Sequence, residues 1–360
     1  MRIILVIIRL VPWIIISQDK YPENYFSKPV EIPLILSGSF GELRSNHFHS
    51  GIDIKTQSKQ GLNIVSSADG YVSRIKIAHG GFGKAIYVNH KNGYTTVYGH
   101  LKKFNTEIEN YIKKIQYRRE SYEVDVYLNE NTLNVYKNQI IAFSGNTGGS
   151  SGPHLHYEIR KTSNQKPLNP LLFGMEVKDT RRPEIKDLFI YNDVDTKFNN
   201  LTANKLKLTK LNDSVFNSNE ININGLTGFG INVIDKQDLA NNKNGVYKIS
   251  TYYNNQLVNS ILYDGFMFEE SILINTLIDY KYYLNNKERI IKLFKSPGNT
   301  LSFYENLNNG LINKTKGYSE FKIKISDIKN LELEITTKCK VLVGQWKENL
   351  NLTNYAVSYT

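Results

Sequence analysis

The chain contains, at residues 152–160, the stretch GPHLHYEIR, in which one leucine separates two histidines. His154 and His156 share a face only in a β-strand, because residues two apart on a helix diverge by about 200°. Leu155 and Tyr157 then form the opposite, apolar face, which is the pattern of a half-buried strand. The stretch therefore predicts a strand that presents two imidazoles to one side of a β-sheet.

A second group of polar residues stands at residues 49–53, which read HSGID. Gly51 argues against a helix, so His49 and Asp53 are predicted to share one face of an extended segment, with room for an ion at Gly51. Two histidines and a carboxylate with one open position form a recurring catalytic zinc shell, and nitrogen ligands favour zinc over calcium or magnesium. The two stretches together predict a metal-binding site.

All seven histidines lie between positions 47 and 156. The site is therefore expected in the first half of the chain, and a fragment ending near residue 178 is expected to keep zinc binding and chemistry. His100, at the end of a predicted strand over 94–100, would share the face of Tyr98 and point at the same site; an exposed strand-end histidine is the alternative. The remaining candidates for contacts around the site are His47, Glu158, Arg160 and Tyr98, whereas His79 and His90 are predicted to be solvated at turns.

The amino-acid composition limits the classes of protein to which this chain can belong. The chain has 360 residues, 45 Lys and Arg against 34 Asp and Glu, and a net charge of +11. The basic residues are dispersed without a nucleic-acid motif, so no nucleic-acid partner is expected, whereas an acidic polymer or an anionic membrane face would suit the charge. The single cysteine, Cys339, excludes an intrachain disulfide and is predicted to be a small residue of a core.

The N-terminus reads as a targeting segment. Residues 3–16 are mostly apolar but too few for a comfortable membrane span, which needs about 20, and they fit a signal peptide over residues 1–17. An uncleaved membrane anchor and a buried N-terminal element are the alternatives. The protein is therefore expected to be exported to the periplasm or cell envelope.

The remaining chain is predicted to be all-β. After an extension over 18–37, residues 38–178 alternate short strands with Gly and Asn turns, interrupted by an insertion at about 102–138 with apolar residues at helical spacing. Residues 179–360 read as a second β-rich domain of unknown role, resembling a β-sandwich. The segments predicted as strands are 64–65, 71–77, 85–89, 94–100, 140–143, 154–160, 246–252, 320–325 and 331–335.

Three motifs resemble a known family. Residues 49–53 (HSGID), 98–101 (YGHL) and 145–160 match, in order and spacing, the lysostaphin-type (LytM-like) zinc metallopeptidases, which cut peptidoglycan peptides; residues 37–53 further resemble the branch found in Bacteroidota-type bacteria. The resemblance implies an antiparallel, barrel-like sandwich of the duplicated hybrid motif type. It also implies that zinc is held by His49, Asp53 and His156 and that His154 and His100 are catalytic. Asn138 stands where the family usually has Gly; Asn tolerates the left-handed conformation, so the turn is expected to survive.

The function expected from this resemblance is zinc-dependent endopeptidase action on peptidoglycan stem peptides. Either His154 or His100 would accept the proton of the attacking water, and the other would stabilise the oxyanion. A D-alanyl–diaminopimelate crosslink and a glycine bridge are both open as the bond cut. The rival hypotheses are a non-catalytic wall-binding or amidase-activating module of the same fold, and a zinc carrier or sensor.

Overall fold

The computed structural model describes residues 21–341, except 196, 199–200, 224, 306–308 and 314–317. The predicted signal or anchor segment lies outside these residues. Within them, no helix is long and apolar enough to cross a membrane.

The first half of the chain forms two facing antiparallel sheets. The larger follows the order β1-β2-β11-β6-β5-β4-β8, with β12 added on β11 and β9 on β4, and the smaller follows β3-β10-β7. The strands are β1 (Leu36–Gly38), β2 (Ile52–Lys55), β3 (Asn63–Val65), β4 (Gly70–Ile77), β5 (Lys84–Asn89), β6 (Tyr94–Gly99), β7 (Lys103–Phe104), β8 (Val124–Tyr127), β9 (Asn134–Val135), β10 (Ile140–Phe143), β11 (His154–Lys161) and β12 (Pro167–Leu168).

A single apolar core fills the space between these sheets. Ile64 and Phe104 from the smaller sheet pack with Ile52, Leu155 and Tyr157 from the larger one. The predicted strands in this half are confirmed to within about a residue or two. Asn138 is in the left-handed region (φ 66°), as expected for a residue that replaces a turn glycine.

The insertion contains the predicted amphipathic helix. Helix α1 (Thr106–Arg119) begins at Asn105, whose side chain accepts a hydrogen bond from the Ile108 N–H, and it buries Ile108 and Ile112. Phe104, whose spacing from Ile108 also fits the helical pattern, lies instead in strand β7 because its backbone pairs with β10. The insertion also supplies β8 and β9, which pair with β4 and extend the larger sheet.

The second half of the chain is a sandwich of two further sheets, as predicted. One follows β14-β13-β18-β21; the other follows β15-β16-β23-β22-β19-β20, with β17 beside β23. Phe229 of β18 stacks on Phe321 of β22 at 4.0 Å between ring centroids, so the two sheets face each other across one core. Cys339 is buried in that core, which confirms its predicted role. The elements are β13 (Glu184–Tyr191), β14 (Asn204–Leu206), β15 (Leu208–Lys210), β16 (Val215–Ser218), β17 (Ile221–Ile223), β18 (Gly228–Ile234), β19 (Lys248–Tyr253), β20 (Gln256–Leu262), α2 (Ile274–Leu277), α3 (Tyr280–Asn286), β21 (Ile291–Lys292), β22 (Tyr318–Ser326) and β23 (Glu332–Val341), with 3-10 helices at Pro170–Phe173 and Phe268–Leu273.

The two halves share apolar residues near position 48. Phe40 and Phe48 precede β2 in the chain, yet they are buried in the second core. Phe48 packs edge-on against Phe303 at 4.9 Å, and Phe40 lies 5.5 Å from Phe266. The segment that leads to His49 is therefore held by the second sandwich. The domain boundary placed near residue 178 stays a prediction.

Candidate metal centre

The register of three neighbouring strands positions the candidate site. Asp53 on β2 is directly opposite His156 on β11, and Gly99 at the end of β6 is opposite His156 on its other side. His49 lies in the loop before β2. The predicted extended segment over 49–53 was wrong in this respect, because β2 begins only at Ile52.

Three donor atoms converge at this point. The distances are 2.9 Å from His156 Nδ1 to Asp53 Oδ1, 3.1 Å from His49 Nε2 to Asp53 Oδ1, and 3.1 Å between the two ring nitrogens. All three residues are buried. The structure therefore brings together the three residues proposed as ligands.

The outer hydrogen bonds of the two histidines fix which nitrogen carries the proton. His49 Nδ1 lies 2.8 Å from the Ser39 carbonyl oxygen, which can only accept, so Nδ1–H donates and Nε2 is left with a lone pair. His156 Nε2 lies 2.8 Å from Glu158 Oε1 and donates to it, so Nδ1 is left with a lone pair. Two lone pairs and a carboxylate oxygen thus face one another.

This donor set fits a zinc ion. Ligand atoms about 2.0–2.1 Å from a tetrahedral zinc lie about 3.3 Å apart, close to the spacing of the three atoms. Three facing lone pairs repel each other unless a cation lies between them. Burial alone would raise the pKa of Asp53, so its charge needs a positive neighbour; without a metal only protonated imidazoles, His49 first, could supply it and hold that pKa far below its usual range.

Two glycines allow the backbone to approach the site. A Cβ on Gly51 would collide with the Tyr157 carbonyl oxygen and lie 2.8 Å from Glu158 Cγ. The expectation that Gly51 leaves room for an ion was therefore wrong, since close packing of β11 requires it. A Cβ on Gly38 would lie 2.7 Å from Asp53 Oδ2.

Charged residues behind the ligands hold them in place. Glu158 is fully buried and accepts hydrogen bonds from His156, from Ser50 Oγ at 2.5 Å and from the Arg160 guanidinium. Burial opposes its charge, but Arg160 and then His156 outweigh burial and lower its pKa to about 2. Arg44, which sequence reasoning missed, donates to Asp53 Oδ2 at 3.1 Å and leaves Oδ1 facing the histidines.

His154 and His100 lie beside the three donors with a common orientation. His154 Nδ1 donates to the Gly152 carbonyl and His100 Nδ1 to the Thr147 carbonyl, each at 2.8 Å. Their rings lie 4.6 Å apart, and His154 Nε2 is 3.5 Å from Asp53 Oδ1. Burial lowers the pKa of His100 to about 4, so its ring is neutral near pH 7 and Nε2 carries a lone pair.

A backbone turn that the sequence did not predict brings His100 to this place. The face of Tyr98 is the core face: its ring is fully buried and its hydroxyl bonds Ser67 and Thr96. Tyr98 therefore points away from the groove. Strand β6 ends at Gly99, and His100 adopts a left-handed conformation (φ 57°) that turns its side chain out of the core.

The other histidines lie apart from the three donors. His47 is exposed at the edge of the groove, and its Nδ1 hydrogen-bonds the nearby Ser45 carbonyl. His79 stacks on Tyr122, at 5.1 Å. His90 was predicted to be solvated, but it is buried, bonded to the Asp69 carbonyl and Thr96 Oγ1, and burial lowers its pKa to about 4.

The site opens into a groove of about 1050 Å³ with contributions from both halves of the chain. Phe82, at a hairpin turn, stacks on the His156 ring at 4.5 Å, and Asn242, Phe268 and Ser271 come from the second half. Sequence reasoning missed these four residues, because nothing local to them signals a site. No residue of the insertion at 102–138 lines the groove.

The fold and site agree with a family of peptidases. Residues 47–117 and 123–170 match Peptidase family M23, so the chain contains an M23 peptidase domain. This family consists of metallopeptidases of the lysostaphin and LytM type, which confirms the resemblance. The narrower resemblance to a Bacteroidota-type branch stays a prediction.

Two named relatives match about a third of this chain. The DD-carboxypeptidase/endopeptidase Mpg of Neisseria meningitidis is 35% identical over 129 residues, which cover 36% of this chain and 23% of Mpg. An uncharacterised metalloprotease of Haemophilus influenzae is 34% identical over 123 residues, covering 34% of this chain and 20% of that protein. The chain thus spans less than a quarter of the length of these relatives. The catalytic domain of lysostaphin from Staphylococcus simulans is a structural neighbour with a TM-score of 0.30 and 21% identity, covering 40% of this chain and 93% of that domain.

Proposed function

We propose that this protein is an exported zinc endopeptidase that hydrolyses peptide crosslinks of peptidoglycan in cell-wall remodelling. The observation that carries the proposal is the triangle of lone-pair atoms from His49, Asp53 and His156, with edges of 2.9–3.1 Å. These three residues are the proposed zinc ligands. A zinc ion held there would polarise the scissile carbonyl and lower the pKa of a water molecule.

The chain's own groups would position the ligands and move the proton. Glu158 holds the His156 ring in the tautomer that leaves Nδ1 free, and Ser39 does the same for His49 Nε2. His154 is the proposed proton acceptor, because its Nδ1 is bound to Gly152 and only Nε2 can receive a proton.

His100 is the second proposed catalytic group. With Nδ1–H bound to the Thr147 carbonyl, His100 offers Nε2 to the site; to donate a hydrogen bond to the developing oxyanion, it would first have to take up a proton from solvent, against the burial that lowers its pKa to about 4. Exchange of the two roles between His154 and His100 is the alternative assignment.

The groove suits an extended peptide substrate. Small-molecule pockets occupy about 300–1,000 Å³, whereas this groove has about 1050 Å³ and is lined by residues from both halves of the chain. A net charge of +11 would favour encounter with an acidic polymer such as the cell wall. The substrate is therefore proposed to be the stem peptides of peptidoglycan.

Purified sacculi test the proposal directly. The zinc-loaded full-length protein is expected to release new amino groups from sacculi, and mass spectrometry of the products identifies the bond cut. Sacculi that bind the protein without release of amino groups would instead indicate a non-catalytic wall-binding or amidase-activating module.

The two catalytic histidines can be tested apart from the metal. His154→Ala and His100→Asn should each lower turnover on sacculi by about 10²–10⁴-fold with zinc retained, because the three proposed ligands are untouched. Asparagine is used at position 100 because it tolerates the left-handed backbone there. Zinc content measured beside turnover separates the two effects: loss of zinc in His154→Ala would reverse the roles of His154 and His156, and near wild-type turnover in His100→Asn would remove His100 from catalysis.

A further inference from the structure

A second cluster of acidic side chains lies where the chain passes from its first half to its second. One carboxylate oxygen each from Asp179, Asp235 and Asp327 lies within 4.8 Å of the others. Asp179 precedes β13, Asp235 directly follows β18, and Asp327 directly follows β22. The connecting segment and both sheets of the second sandwich therefore meet at one point.

Each of these three carboxylates has a buried oxygen atom without a hydrogen-bond partner among the described residues. Asp327 is fully buried; its Oδ1 accepts from the Lys329 and Leu331 N–H groups at 2.8 Å, while Oδ2 has no hydrogen-bond partner among the described residues. Asp235 Oδ1 and Asp179 Oδ2 are buried and without a partner in the same part of the chain. A buried carboxylate oxygen without a donor is energetically costly, so the cluster needs a group that the described residues do not supply.

Two buried amides close to Asp235 in the chain or in its bridge also have atoms that lack hydrogen-bond partners in the described part of the chain. Asn244 is only 2% exposed and forms an antiparallel bridge with Asp235, with backbone bonds of 2.9 and 2.8 Å. Residues directly opposite in such a bridge project to the same face, so the Asn244 side chain lies beside that of Asp235. Neither Asn244 Oδ1 nor Asn244 Nδ2 has a hydrogen-bond partner among the described residues, and the same holds for Oε1 of the equally buried Gln237, two residues after Asp235.

Nearby cationic side chains are engaged elsewhere. Arg181 pairs with Glu184 at 3.0 Å, Lys236 pairs with Glu184 at 2.9 Å, and Arg182 donates to the Glu332 carbonyl. In the described part of the chain no Lys or Arg forms an ion pair with any of the three carboxylates. Burial, followed by the charges of Asp179 and Asp327, raises the pKa of Asp235 to about 8, and the positive charge of Arg181 offsets this only in part.

We propose that Asp179, Asp235 and Asp327, with the amide oxygens of Asn244 and Gln237, form a structural Ca²⁺ site. The donors are all oxygen, and three are carboxylates that would carry negative charge with the cation bound, which is the chemistry that Ca²⁺ prefers and zinc does not. The proposal is independent of zinc at the histidine site, since no histidine takes part.

A cation here would stabilise the wall of the groove. The loop between Asp235 and Asn244 continues into contacts with the first half: Asn242 donates to the Ser37 carbonyl at 3.2 Å, and the Gly245 N–H donates to Ser39 Oγ at 2.9 Å. Ser39 in turn accepts from His49. Ca²⁺ would therefore fix the loop that supports the His49 side of the metal centre.

Calcium titration of the zinc-loaded full-length protein tests this site. One Ca²⁺ is expected to bind per chain by calorimetry, and the thermal unfolding midpoint is expected to rise, with the folding equilibrium constant increasing about 100-fold when free Ca²⁺ is 100 times the Kd. Asp235→Asn and Asp327→Asn keep the side-chain shape and remove the charge, so they should fold yet show neither binding heat nor a calcium-dependent rise. Asp213→Asn, an exposed aspartate, is the matched control and should respond as wild type.

Three results would overturn the proposal of a calcium site. Absence of binding by the wild type at millimolar Ca²⁺ overturns the proposal, and so does calcium binding that persists in both variants. His156→Ala should keep the calcium response, because it lies outside the acidic cluster; loss of the response there would place the calcium at the histidine site and would also overturn the proposal.

Discussion

Replacing His156 with alanine is expected to remove bound zinc and to lower peptidase activity on sacculi by more than about 100-fold. Even a residue that only orients a metal ligand is worth about 10–100-fold, and His156 supplies one of the three proposed donor atoms itself. Asp53→Asn and His49→Ala should also lose zinc and activity. Asp53→Asn is the more conservative change, because it hardly alters the side-chain volume. Zinc per chain by elemental analysis and amino-group release are the two measurements.

A matched control comes from a histidine outside the site. His79→Ala removes an exposed imidazole that stacks on Tyr122, so zinc content and turnover should stay at the wild-type level. Circular dichroism of each variant reports whether the fold is intact. Full zinc occupancy in any two of the three ligand variants would eliminate the proposed shell.

Removing the second half of the chain is expected to disrupt the metal centre, contrary to the expectation from sequence. A fragment of residues 18–178 would expose Phe40 and Phe48, whose aromatic partners Phe266 and Phe303 would be lost. Burying one such side chain contributes about 1.5–3 kcal/mol, so the pair contributes about 3–6 kcal/mol, a large share of the total stability of a domain, about 5–15 kcal/mol. Because Phe48 adjoins His49, we expect this fragment to bind zinc poorly and to lack activity on soluble muropeptides.

A single substitution in the full-length chain tests the packing of Phe48 without removing the second half of the chain. Phe48→Ala should destabilise the protein by about 3–5 kcal/mol in denaturant unfolding and weaken zinc binding, because it leaves a cavity behind the loop that carries His49. A well-folded 18–178 fragment with full zinc and wild-type turnover on muropeptides would show that the second half is dispensable for chemistry, as the histidine distribution suggested.

The sequence by itself determined those features that follow from local pattern. Alternating apolar residues predicted strands such as β4 and β11, and helical spacing predicted α1, because each element must bury one face whatever surrounds it. The pair His154 and His156 on one strand face, with Asp53 and His49, sufficed to propose a metal centre. Three short motifs sufficed for the M23 resemblance.

Only the tertiary structure decided which distant residues support that centre. Arg44 on Asp53, Phe82 on His156 and Ser39 on His49 are brought there by strand register and loop packing, which have no local sequence signal. Strand alternation would have placed the His100 side chain in the core. It reaches the site because His100 itself adopts a left-handed backbone conformation. The attachment of Phe40 and Phe48 to the second core, and the meeting of three aspartates far apart in the chain, likewise depend on contacts between elements rather than on any pattern within one.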